Sequence, residues 1–137
     1  MTVRLREAKN RRIVDDLLAK AEGDPDILGV FLFGSFARVR TTPASDVDIC
    51  LVLFPSSSKV SVPDPSRKRL EYLKDFSLDI HVFQGLPLYI RKRVLGEGRL
   101  LYTRDEDQLY DLAIRTAKDY DDFKHIYRDY LREVEVG

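Results

Sequence analysis

Gly34-Ser35-Phe36-Ala37-Arg38 closes one apolar run, and Asp46-Val47-Asp48 opens the next, with ten residues between Ser35 and Asp46. The run before the glycine, Ile27 to Phe33, is almost unbroken and rich in branched and aromatic residues. It is too short for a core helix and reads as a buried strand. Val47 to Phe54 reads as a second strand. Gly34 permits close backbone approach, and a tight strand-to-helix turn aims backbone N–H groups at an anion. The Ser35 hydroxyl is then placed to donate to a phosphate oxygen. Arg38 and Arg40 are near enough in sequence to neutralise phosphate charge.

Side chains alternate along a strand, so Asp46 and Asp48 point the same way, their α-carbons roughly 6.5–7 Å apart. Two carboxylates at that spacing converge on one or two hard cations, and paired ions in phosphoryl-transfer sites sit ~3.5–4 Å apart. Cys50 and Val52 continue the same face without a hard ligand, so the site belongs at the start of the strand. Asp79, in Ser77-Leu78-Asp79-Ile80-His81-Val82-Phe83, supplies a third acid on another strand. Strand aspartates are disfavoured, and burying an unpaired carboxylate is costly. Three clustered carboxylates repel unless one holds a proton or a cation joins them. Mg²⁺ or Mn²⁺, bound partly through triphosphate oxygens, satisfies the arrangement. His81 shares the Asp79 face and reads as a partly buried strand histidine. The chemistry implied is in-line attack on an α-phosphate with pyrophosphate leaving.

Outward from this motif, Ile13, Val14, Leu17, Leu18 and Ala21 recur at helical spacing until Gly23 and Pro25. Ser35 to Arg40 suits one or two helical turns. Pro55 to Pro63 is serine-rich and reads as a mobile surface loop. Asp64-Pro65 predicts an N-cap and a proline at the first helical position, with Leu70, Leu73 and Phe76 inward. Leu78 to Phe83 predicts the third strand, Pro87 to Leu95 a helix closed by Gly96 and Gly98, and Leu100 to Tyr102 a fourth strand. Thr103-Arg104-Asp105-Glu106 fits a capping box that opens a helix over about 104–134. Its seam, Leu109, Ala113, Thr116, Tyr120, Phe123, Tyr127, Tyr130 and Val134, is aromatic in its second half, which suggests a partner interface. The order predicts one α/β (α+β) domain over 1–137, with a small mixed sheet and helices on one face.

The chain has 137 residues and no formal net charge. One domain of that size buries a core without staples. Neutral charge disfavours nucleic acid as a partner. The single cysteine, Cys50, excludes an internal disulfide framework. The N-terminus lacks the apolar core of a signal peptide, and no apolar run nears the ~20 residues a membrane span needs. A soluble, cytoplasmic protein is expected.

Gly34-Ser35, Asp46-x-Asp48 and a later strand Asp79 resemble the motif of the nucleotidyltransferase superfamily that includes DNA polymerase β. Small size and a motif near the N-terminus look like the minimal nucleotidyltransferases of archaea and bacteria, many encoded beside a helical HEPN partner. The likeness extends from Ile27 to about Leu131. One position departs: Val39 stands where members often carry glycine. The resemblance implies Asp46, Asp48 and Asp79 as catalytic metal ligands, which the chemistry above fills with Mg²⁺ or Mn²⁺, two ions being expected. It implies Gly34 and Ser35 as contacts to the triphosphate of ATP; Arg38, by its nearness in sequence, is read as a further contact or as solvated surface. It also implies an antitoxin that transfers AMP to a tyrosine of a HEPN toxin. Two alternatives stay open: neutralisation by occlusion alone, and transfer to a small-molecule acceptor. A homo-oligomer also stays open.

Overall fold

A computed structural model of the chain describes residues 2–33, 48–55 and 64–136, with side chains from residue 10 to residue 134 of those spans. The predicted Ser35–Arg40 turns and the serine-rich loop lie outside the described residues, except for Pro55. Helix α1 (Thr2–Glu22) leads into strand β1 (Ile27–Phe33), followed by β2 (Asp48–Leu53), α2 (Pro65–Asp75) and β3 (Asp79–Val82). A short 3-10 turn (Phe83–Gly85), α3 (Leu88–Glu97), β4 (Arg99–Thr103) and α4 (Glu106–Val136) complete the chain. The strands form one sheet in the order β3-β2-β1-β4. β1 pairs antiparallel with β2 and β4, while β2 and β3 are parallel. The sheet is mixed, as expected.

The helices, however, cover both faces. Ile49, Leu51 and Leu53 pack with Leu17 and Ala21 of α1 and Tyr72 of α2. Cys50 and Val52 pack with Val94 of α3 and Leu109 of α4. A strand apolar at every position needs cover on both sides, and every residue from Ile27 to Leu32 and from Ile49 to Leu53 is buried. Burial pushes the Cys50 thiol well up, as expected for an inert core residue.

Helix α2 is rolled relative to the expected face. Leu70 is 59% exposed, whereas Lys68 and Tyr72 are buried; Leu73 and Phe76 pack partly on the core as expected. The turn between α1 and β1 explains the roll. Lys68 Nζ reaches Asp24 at 3.1 Å, Asp26 at 3.0 Å and Glu71 at 3.0 Å. The Tyr72 hydroxyl donates to the same Asp24 carboxylate at 2.9 Å. Burial pushes Asp24 up, but the Asp26 backbone N–H, Lys68 and Tyr72 outweigh it and hold the carboxyl below its usual range. Burial alone lowers Lys68, yet its bonds to Asp26, Glu71 and Asp24 drive it above the ordinary lysine value.

Side chains also finish the sheet. The Gln84 amide donates to the Leu53 carbonyl at 2.8 Å and accepts from the Leu53 N–H at 3.0 Å, acting as one more strand residue beyond β3. Arg104 donates to the carbonyls of Ala21, Glu22 and Asp24, satisfying the C-terminal end of α1. Gly98, not Gly96, closes α3: its N–H bonds to Val94 O at 2.8 Å, and a β-carbon there would overlap that carbonyl. The cap of α4 is Asp105 rather than Thr103. Asp105 accepts from the Gln108 backbone N–H and side-chain amide, both at 3.1 Å, while Thr103 Oγ1 donates to Leu28 O at 3.1 Å.

Helix α4 has 31 residues and spans roughly 46 Å. Leu109 and Thr116 are buried, and Lys92 lies 4.1 Å over the Tyr120 ring. Beyond Tyr120 every described side chain is exposed. Among the described residues no helix is long and apolar enough to cross a membrane.

Lys68→Met should lower unfolding free energy by about 3 kcal/mol in urea titrations, because it strands the Asp24 carboxylate beneath α2. Asp24 has a depressed folded pKa, so its contribution is complete above the ordinary carboxylate value of 3.8. It is lost as pH falls through the lower folded value. Asp24→Asn should therefore flatten the acid limb of a stability-against-pH profile, and an unchanged limb would contradict the network.

Candidate active site

The site sits where the chain leaves β1 and enters β2 and β3. β1 ends at Phe33, which pairs with Asp48, the first residue of β2. Asp48 pairs in turn with Asp79, the first residue of β3. Neighbours in register share a sheet face, so both carboxylates project on the face that Cys50 and Val52 share with α3 and α4. Neither of those residues offers a hard ligand, and Asp48 and Asp79 are the first residues of their strands. Asp79 opens β3 rather than lying inside it, and its side chain is 46% exposed. Expulsion from an apolar strand is therefore not what makes it notable; its neighbours are.

His81, two residues on, occupies the same face. Its Nε2 lies 3.1 Å from Asp79 Oδ1, and its ring meets Phe33 edge-on with centroids 5.6 Å apart. One ligand atom each from Asp48, Asp79 and His81 fall within 4.8 Å of one another. Burial pushes the Asp79 carboxyl up, but a hydrogen bond with the Asp48 side chain, the charge and hydrogen bond of His81, and the Arg69 charge outweigh it. The net effect holds Asp79 below the usual carboxylate range. Two carboxylates are acceptors only, so a bond between them needs a proton on one. A divalent cation is the other way to hold such a pair together. Two carboxylates with an imidazole within reach make a donor set that can hold a divalent metal ion.

Of the sequence candidates, Asp48 and Asp79 are brought together. Asp46, Gly34, Ser35 and Arg38 lie outside the described residues, as does Val39. Sequence alternation puts His81 on the right face, yet gives no sign of its pairing with Asp79. Arg69 is a second residue that pattern reading passes over. It stands on the exposed side of α2, and its Nε donates to the Ile80 carbonyl at 2.7 Å. That bond also covers part of the free edge of β3.

The family described as polymerase beta nucleotidyltransferases matches residues 15–107, which contain this whole constellation. The chain belongs to that family. The nucleotidyltransferase is 26% identical over 108 residues to a protein of Methanocaldococcus jannaschii that is provisionally named a protein adenylyltransferase. The match covers 79% of this chain and 75% of the relative. Among solved structures, a toxin–antitoxin complex with AMP-PNP contains a chain that superposes with a TM-score of 0.61 at 18% identity, covering 90% of this chain and 96% of that one. A complex of tri-AMPylated Shewanella oneidensis HEPN toxin with MNT antitoxin gives 0.59 at 16% identity, covering 93% and 97%. At those identities the likeness speaks for the nucleotidyltransferase fold.

Mn²⁺ should raise the melting temperature of the wild-type nucleotidyltransferase, equivalent to about 2–3 kcal/mol at an ion concentration a hundred times its Kd. Asp48→Asn and Asp79→Asn should each remove most of that rise. In EDTA Asp79→Asn should be no more stable than wild type, because the lowered pKa of Asp79 marks a net favourable setting for its carboxylate. An equal Mn²⁺ response in the variants would show that the ion binds elsewhere.

Proposed function

We propose that this nucleotidyltransferase moves AMP from ATP to a protein hydroxyl, a tyrosine of a HEPN toxin, and thereby acts as its antitoxin. The observation that carries the reading is the register of β2 on β3, which sets Asp48 against Asp79 beside the end of β1. The name of the Methanocaldococcus jannaschii relative supports the protein acceptor. The AMPylated toxin bound to an MNT antitoxin supports the partner.

In this reading Asp46, Asp48 and Asp79 hold divalent metal, two Mg²⁺ or Mn²⁺ ions. Bound there, the metal neutralises triphosphate charge and makes the attacking hydroxyl more acidic. The Gly34 backbone and the Ser35 hydroxyl hold the triphosphate, and Arg38 balances its charge. His81 orients Asp79 through their 3.1 Å contact. The tyrosine hydroxyl gives its proton to water, and its oxygen bonds to the α-phosphorus as the bond to the bridging oxygen of the β-phosphate breaks. Pyrophosphate leaves along the line of attack.

The free half of α4 is the proposed docking surface for the toxin. Phe123, Tyr127, Tyr130 and Val134 follow one another at gaps of four and three, and each is more than half exposed. The Phe123 and Tyr127 rings stack with centroids 6.0 Å apart. An apolar stripe at helical spacing suits a helical partner. The same stripe favours a second reading, in which occlusion alone neutralises the toxin.

Incubation with [α-³²P]ATP, Mg²⁺ and the partner should label the partner. Asp46→Asn with Asp48→Asn should reduce transfer about a hundredfold or more. Absence of labelling by the wild type, with neutralisation intact in the double variant, would leave the occlusion reading standing. Phe123→Ala with Tyr127→Ala should abolish partner capture, at about 2 kcal/mol per aromatic anchor, while leaving AMP-PNP binding unchanged. Undiminished capture would remove α4 from the interface.

A further inference from the structure

A cleft of about 270 Å³, lined by Pro65, Ser66, Arg69, His81, Gly85 and Leu86 among others, adjoins the acids through His81, whose Nε2 lies 3.1 Å from Asp79. It sits at the β3 edge of the sheet, and β1 lies on the opposite side of β2. In the proposed function the nucleotide is held by residues that follow β1 in sequence, and Phe33, the last residue of β1, pairs with Asp48 on the side of β2 away from β3. In-line displacement requires the nucleophile opposite the leaving pyrophosphate. That direction is the β3 side, where the cleft opens next to His81. The cleft is smaller than the ~300–1,000 Å³ of ligand pockets for drug-sized molecules, which suits a side chain better than a second nucleotide.

Arg69 gives the cleft its chemistry. Its Nε is committed to the Ile80 carbonyl, which fixes the guanidinium in place, and among the described residues it forms no salt bridge. A fixed guanidinium with open N–H donors is a carboxylate receptor. We propose that this cleft seats the acceptor segment, and that Arg69 selects an acceptor hydroxyl flanked by a carboxylate. The proposal rests on the nucleotidyltransferase reading above and specifies its substrate.

The test uses two fluorescein-labelled peptides with central Asp-Tyr-Asp or Asn-Tyr-Asn, read by anisotropy on the full chain with AMP-PNP and Mg²⁺. The acidic peptide should bind the wild type at least about tenfold more tightly, the contribution of one charge-assisted pair. Arg69→Gln should erase the difference. Ser66→Glu should erase it too, by placing a like charge on the rim, and an acid in the first turn of α2 leaves the helix stable. Equal binding of both peptides, binding of neither, or an undiminished preference in both variants would overturn the acceptor cleft. Calorimetry of AMP-PNP on the wild type separates the two claims: no nucleotide binding would sink the function proposed above, whereas normal nucleotide binding without peptide preference sinks this inference alone.

Discussion

Parallel pairing of β2 with β3 is the constraint on which the site depends. It sets two aspartates side by side at the starts of neighbouring strands, with Phe33 at the end of β1 next to them. A shift of one residue would turn Asp79 to the opposite face, toward α1 and α2, and would aim Ile80 at the acids. The register is held by burial on both faces. Ile80 and Val82 pack with Ile49 and Leu51 under α1 and α2, while Cys50, Val52 and Phe83 pack under α3 and α4. Gln84 adds two hydrogen bonds to Leu53 just beyond β3. The acids are therefore crowded by a core that does not move to relieve them. A proton or a cation must meet the crowding instead.

The strands were legible because they rest on strong local signals. Unbroken apolar runs identify buried strands, and alternation fixes which side chains share a face. The same unbroken runs also carried the sign that helices cover both faces, since a strand exposed on one side alternates. What could not be read are contacts that join distant segments. Lys68 looks like a solvated helix residue until Asp24 and Asp26, more than forty residues away, draw it inward. That pull also displaces Leu70 from the expected face. The cap of α4 moved for a similar reason: Thr103 is engaged by Leu28 O of β1, leaving Asp105 to meet the helix.

The domain divides its labour along the sheet. The lysine–aspartate network ties α2 to the turn between α1 and β1, next to the core. The acids lie where β1 ends and β2 and β3 begin. Helix α4 packs along its first half and then leaves the domain with its aromatic stripe uncovered. In the proposed function the acceptor hydroxyl belongs to another molecule. The uncovered helix and the cleft at the β3 edge are the two places where this chain meets such a molecule in the proposed function.

Asp48 and Asp79 are expected to share one divalent cation. Anomalous diffraction from crystals soaked in Mn²⁺ and AMP-PNP tests it most directly. An anomalous peak should stand about 2.1 Å from a carboxylate oxygen of each aspartate. Peaks confined to other carboxylates, with Asp48 and Asp79 still bonded to each other, would contradict it.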